Sequence, residues 1–112
     1  MSEVLFGKDD DILVVEIVGE INILDVNDFK ESIKKKISEE NSKKIIVDMK
    51  QVPFMDSSGL GMLISLYKFV NENQGKIVYT GLSEYILKIL GFAKLDKIFI
   101  ISDDIKTAKL AL

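Results

Sequence analysis

The chain has 112 residues, enough for one domain spanning residues 1–112, with 47% hydrophobic residues to fill a core and 29% charged residues to keep the surface wetted. It contains no cysteine and no histidine, and its 15 basic residues are all lysines; this excludes disulfides, thiolate metal sites, the usual general base and the bidentate arginine clamp, and neither cofactor nor metal is expected. The net charge of −3, with acids and lysines interspersed, argues against a nucleic-acid binder, and the lack of a membrane-length apolar run or a signal-like N-terminus makes a cytoplasmic protein the expectation.

Val4-Leu5-Phe6 and Ile12 to Val18 are apolar runs rich in branched residues, separated by the turn-type cluster Gly7-Lys8-Asp9-Asp10-Asp11. They read as an antiparallel hairpin. Only Glu16 interrupts the second run, so it is expected to be a central strand covered on both faces. The three aspartates lack calcium-loop spacing and read as a solvated hairpin tip. The first helix is expected to start at Asp25 as N-cap, with Asp28 near the positive end of its dipole and Leu24 and Phe29 spaced as a hydrophobic staple. Val26, Phe29, Ile33 and Ile37 recur at helical spacing as one buried stripe; Lys34-Lys35-Lys36 is a solvated face of the same helix.

Ile45-Ile46-Val47 reads as a short buried strand, Leu60 to Val70 as a largely buried helix stopped near Gly75, and Lys76 to Thr80 as another strand. Ser83 caps a short third helix ended by Gly91, Lys97 to Ile101 is a fifth strand, and Ser102 or Asp103 caps a last helix carrying Ile105, Ala108 and Leu112 on one face. After the hairpin, strands and helices alternate. The fold class is therefore α/β: an N-terminal β-hairpin followed by a mixed, mostly parallel sheet packed by about four helices.

The segment Asp56-Ser57-Ser58-Gly59 joins a strand to the most apolar helix. Ligand sites of open α/β sheets lie at the carboxyl ends of strands. A serine there meets free backbone N–H groups and the positive end of a helix dipole, which partly stabilise a phosphate on its hydroxyl. Phosphorylation would add roughly 1.5 to 2 negative charges beside Asp56, so the surface would change sharply while the fold tolerated it. The alternative is that Ser57 or Ser58 serves only as an N-cap. Along the helix, Gly61, Ser65, Lys68 and Glu72 follow Ser57 on one narrow face, shallow enough for a partner to lie closely. Met62 and Leu66 flank it and read either as partner contacts or as core.

Phe54-Met55-Asp56-Ser57-Ser58-Gly59-Leu60-Gly61 resembles the signature of bacterial anti-sigma factor antagonists, the STAS domain family. Gly19-Glu20-Ile21 is similar to the family's Gly-Glu element, Tyr67-Lys68 to its aromatic–lysine pair, and Leu90 to Leu95 to the segment before its last strand, so the resemblance covers nearly the whole chain. One departure is Asn22, which stands where members often carry aspartate; Asp25-Val26 lies near the family's threonine-alanine pair. The resemblance implies Ser57 as the phosphorylation site, with Glu20, Asn22, Asp56, Ser58, Gly59, Gly61, Met62 and Ser65 in the partner surface. It also implies partner switching. The unphosphorylated chain would bind an anti-sigma factor that is a serine kinase of the histidine-kinase-like ATPase type, and would thereby release a sigma factor. Phosphorylation would break the complex, and a PP2C-type phosphatase would restore it. Stand-alone domains of this type also serve as interaction modules in lipid-transport or stress-signalling complexes, which is the alternative function.

Other classes fit less well. A serine hydrolase lacks its histidine and its Gly-x-Ser-x-Gly elbow. A receiver domain would need an acidic pair after the first strand, whereas the acids here sit in a hairpin turn. Gly59-Leu60-Gly61 is a fragment of a dinucleotide fingerprint without its third glycine, and no phosphate-loop string occurs. The chain is thus expected to be a substrate of enzymes and not an enzyme.

Overall fold

Glu3–Asp9 (β1) and Ile12–Val18 (β2) form an antiparallel hairpin closed by Asp10 and Asp11, with Asp10 at φ 55°. An aspartate tolerates that left-handed conformation, and a two-residue hairpin turn requires it. The tip is narrower than the Gly7–Asp11 cluster suggests, because the pairing runs on to Asp9↔Ile12. Two of the tip acids are neutralised: Asp9 pairs with Lys109, and Asp11 with Lys44 at 3.4 Å. The computed structural model describes residues 2–112.

The remaining elements alternate as the sequence suggests: Ile23–Glu40 (α1), Lys44–Gln51 (β3), Ser57–Glu72 (α2), Lys76–Thr80 (β4), Glu84–Phe92 (α3), Ile100–Ser102 (β5) and Ile105–Leu110 (α4). The sheet order is β1-β2-β3-β4-β5, antiparallel only at β1–β2. Period-two alternation divides the apolar residues between two faces. Leu13, Val15, Ile17, Ile45, Val47, Met49, Ile77 and Tyr79 pack with Ile33 and Ile37 of α1, Met62, Leu63 and Leu66 of α2, and Ile86 and Leu90 of α3. Ile12, Ile46 and Val78 form a smaller cluster with Ala108 and Ile105 of α4. Because α4 is short, β2 is not fully covered on that second face: Ile12 and Val14 pack there, while Glu16 and Val18 stay half-buried.

Three expected boundaries and one expected staple are corrected. Asn22, not Asp25, caps α1: its side chain accepts from the Leu24 N–H at 2.9 Å, and Asp25 falls inside the first turn, where it accepts from the Ser2 hydroxyl. With the helix starting three residues earlier, Leu24 is exposed and cannot act as the staple; Ile21 occupies the buried position before the cap. The last strand is shorter and later than Lys97–Ile101, because Leu95–Lys97 forms a 3₁₀ turn after Lys94 takes φ 60°. Asp104, rather than Ser102 or Asp103, caps α4 by accepting from Thr107 N–H.

The helix bearing Ser57 is held from below. Tyr79 of β4 is fully buried, packs tilted against Phe99 with ring centroids 5.0 Å apart, and donates its hydroxyl to the Leu63 carbonyl in mid-α2 at 2.6 Å. Burial raises the phenol well above its ordinary pKa of 10.0, so it remains a donor.

Candidate phosphorylation and partner-binding site

The carboxyl ends of β2 and β3 lie side by side. Ile21 and Met55 form an isolated parallel bridge, and Asp56 N–H donates to the Ile21 carbonyl at 3.3 Å. This brings the Glu20–Asn22 loop against the Asp56–Ser58 turn. Asp56 is the N-cap of α2: one carboxylate oxygen accepts from the Ser58 N–H at 2.9 Å, from the Gly59 N–H at 3.2 Å and from the Ser58 hydroxyl. These bonds hold the carboxyl below its ordinary range. The Ser58 hydroxyl is the largest cause, partial desolvation opposes it, and the amides of Gly59, Ser58 and Ile23 add to the lowering. Since Ile23 is the first residue of α1, this carboxylate sits near the positive ends of two helices.

Ser57 is the first residue of α2 and is exposed; among the described residues its hydroxyl takes part in no hydrogen bond. Neither serine is the cap, which removes the alternative role weighed from the sequence, and the two differ: Ser58 is half-buried and tied to Asp56, whereas Ser57 is not. The first turn still offers backbone N–H groups without helical acceptors. An anion on Ser57 would meet those dipoles, with Asp56 as the opposing charge.

The structure gathers Glu20, Asn22, Asp56, Ser57 and Ser58 at the carboxyl end of the sheet, with Glu20 and Asn22 lining a concavity of about 630 Å³ that also includes Pro53. Gly61 is exposed on α2, and Ser65 further along accepts from Lys34 of α1 at 3.0 Å. Three residues read as candidates for the partner surface are not at the surface. Met62 and its neighbour Leu66 are buried in the core beneath α2, so they are not available contacts in the free chain. Gly59 is also buried; a Cβ there would lie 2.8 Å from the Met55 Cβ, so its function is close packing of α2 onto the Ile21–Met55 bridge. The geometry thus assembles an exposed hydroxyl, a capping carboxylate and an open helix face at one turn.

Residues 5–108 match the STAS domain family. The chain belongs to that family. Among curated relatives, it is 27% identical over 83% of its length to the anti-sigma F factor antagonist of Paenibacillus polymyxa, covering 80% of that protein. It is 30% identical over 69% of its length to the anti-sigma-B factor antagonist of Staphylococcus epidermidis, covering 70% of it. A putative anti-sigma factor antagonist from Thermotoga maritima has the same fold, with a TM-score of 0.91 at 23% identity over 96% of this chain and 92% of that one. So does the Bacillus cell fate determinant SpoIIAA. Its phosphorylated form gives a TM-score of 0.75 at 18% identity over 98% of this chain and 100% of that one. Its unphosphorylated form gives 0.74 at 18% identity over 97% and 96%.

Sequence reasoning missed the apolar flanks of this STAS domain's Asp56–Ser58 turn. Ile23 and Leu24 at the start of α1 are 73% and 85% exposed, and Phe54, just before Asp56, is 45% exposed. Reading Asn22 as the cap would have put Ile23 and Leu24 in the first helical turn, outside the Val26–Phe29–Ile33–Ile37 stripe.

Proposed function

We propose that this chain is an anti-sigma factor antagonist switched by phosphorylation of Ser57. The observation that carries the reading is the exposed Ser57 hydroxyl at the first position of α2, without a hydrogen bond among the described residues, beside a neighbouring serine already bonded to the capping Asp56. In the unphosphorylated state the chain binds an anti-sigma factor through Glu20, Asn22, the Asp56–Ser58 turn and the Gly61–Ser65 face of α2, and a sigma factor is released. The names of its STAS relatives, anti-sigma F and anti-sigma-B factor antagonists, support that partner class.

The finer steps belong to the same proposal. The anti-sigma factor is a serine kinase of the histidine-kinase-like ATPase type that transfers the γ-phosphoryl of ATP to Ser57 Oγ, leaving ADP. The added charge, roughly −1.5 to −2, is tolerated by the free chain because it faces water and a helix N-terminus. In the complex it would be stripped of water next to Asp56, and each 1.4 kcal/mol of that cost lowers affinity about tenfold. A PP2C-type phosphatase hydrolyses the ester and resets the switch. The chain itself catalyses nothing and acts in the cytoplasm; among the described residues no helix is long and apolar enough to cross a membrane.

The test uses each anti-sigma factor of the source bacterium, purified and titrated calorimetrically with the unphosphorylated and the Ser57-phosphorylated chain. Tight binding of one of them by the unphosphorylated form, lost on phosphorylation, is expected. Equal affinity for both forms would remove Ser57 from the switch.

A further inference from the structure

Helix α3 is more apolar than one buried stripe requires. Ile86 and Leu90 are its buried residues and satisfy the contact with the sheet. Tyr85, Ile89 and Phe92 stand at i, i+4 and i+7, a second stripe on another side of the same helix. Phe92 is 89% exposed and Tyr85 55% exposed. Phe54 extends this stripe toward the switch segment, meeting Tyr85 edge-to-face with ring centroids 6.1 Å apart. The join is fixed in place: the Ser83 hydroxyl donates to the Pro53 carbonyl at 3.0 Å while accepting from the Ile86 N–H, so the cap of α3 is tied to the loop that leads into Asp56. Three partly free aromatic side chains present on the order of 400 Å². That is about half of the ~800 Å² each partner contributes to a standard interface.

We infer that Phe54, Tyr85 and Phe92 form an aromatic anchor that seats in an apolar recess of the same anti-sigma factor that docks over Ser57; this rests on the proposed function. Continuity decides the occupant. Phe54 is two residues from the Asp56 cap, so a protein covering Ser57 also covers the near end of the strip. A second copy of this chain seated there would crowd the Ser57 turn and close it to a kinase. The two parts divide the work: the aromatic contact holds the partner and is indifferent to charge, while Ser57 supplies the charge-dependent step. Aromatic residues in such positions dominate interface energetics, and their loss acts mainly on dissociation.

The experiment titrates the anti-sigma factor that binds the wild-type chain with a Tyr85→Ala/Phe92→Ala double variant, with Phe92→Leu and with Ser57→Asp. Thermal melts and sedimentation of each free chain accompany the titrations. The double variant should melt like wild type, bind at least about tenfold more weakly and dissociate faster; Phe92→Leu should keep most of the affinity. If the double variant binds as tightly as wild type while Ser57→Asp does not bind, docking is confined to the Ser57 surface and the anchor is refuted with the proposed function intact. If wild type self-associates, the double variant does not, and partner affinity is unchanged, the strip is a homodimer contact and the inference also fails. Binding of no anti-sigma factor by any form would overturn the proposed function and this inference together.

Discussion

Ser58 donates its hydroxyl to the Asp56 carboxylate oxygen that caps α2, while Ser57, the residue between them, has no hydroxyl hydrogen bond among the described residues. A phosphoryl acceptor must be free to approach a kinase, and a hydroxyl already donating to a carboxylate must first give up that bond. The phosphate is therefore expected on Ser57. Incubation with the cognate kinase and ATP, followed by fragment mass analysis, should place the added mass there, and modification of Ser58 alone would refute the assignment.

Asp56 should couple the stability of this turn to pH. Its carboxyl is held below the ordinary value of 3.8 in the folded chain, chiefly by the Ser58 hydroxyl. The folded state thus favours the ionised form more than the unfolded state does. The resulting stabilisation is fully present above the unfolded value, about 3.9, and is lost as pH falls through the lower folded value. Asp56→Asn keeps a capping oxygen but does not titrate. Urea melts of the two proteins between pH 6 and pH 3 should show the wild-type advantage shrinking below about pH 4; a constant difference across that range would mean that ionisation of Asp56 does not support the turn.

Much of this was legible in the sequence because several signals agreed. The alternation of Ile12–Val18, Ile45–Val47 and Lys76–Thr80 with the apolar helices carried the α/β order, and the Asp56-Ser57-Ser58-Gly59 string fell at a strand–helix junction. The errors arose where two residues offer the same local chemistry. Asn22 and Asp25 are both competent caps, and only the Ile21–Met55 bridge, a contact between residues 34 apart, fixes which is used. Met62 lies beside the open Gly61 face in sequence, but a helix turns 100° per residue, which is enough to carry Met62 into the core. Lys97 to Ile101 reads as strand by composition, yet the 3₁₀ turn at Leu95–Lys97 takes up its first residue and pairing starts at Ile100. The aromatic strip on α3 escaped notice because exposed and buried apolar residues look alike without tertiary contacts.

Gly59 and Gly61 occupy the same helix two residues apart and should respond oppositely to alanine. At Gly61 a Cβ meets nothing within 4 Å, so Gly61→Ala should stabilise the fold by about 1 kcal/mol from helix propensity. At Gly59 the Cβ would lie 2.8 Å from the Met55 Cβ and 3.1 Å from Ile21 Cγ2; overpacking costs about 1–3 kcal/mol, which outweighs the propensity gain. Chemical denaturation measures both. A face without a side chain lets a partner backbone approach closely, so under the proposed interface Gly61→Ala should also weaken partner binding. A stabilised Gly61→Ala that binds normally would take this face out of the interface.

Charge at position 57 is the strongest test of the switch. Ser57→Asp puts a carboxylate in the first turn of α2, where the helix dipole favours it by roughly 0.3–1 kcal/mol. Asp56, one residue away, offsets part of that gain, so the fold should be nearly as stable as wild type. The same carboxylate in a complex would be pressed against a partner beside Asp56 with no cation assigned to it, and an unpaired buried charge costs several kcal/mol. Binding should fall by a hundredfold or so, about 2.7 kcal/mol. Ser57→Ala should bind like wild type and resist phosphorylation, since the hydroxyl it removes has no bond to lose. Thermal melts paired with titration calorimetry separate the cases. A Ser57→Asp chain that melts far below wild type would mean that the serine supports the helix start after all. One that melts normally and still binds tightly would mean that repulsion is not how the phosphate acts.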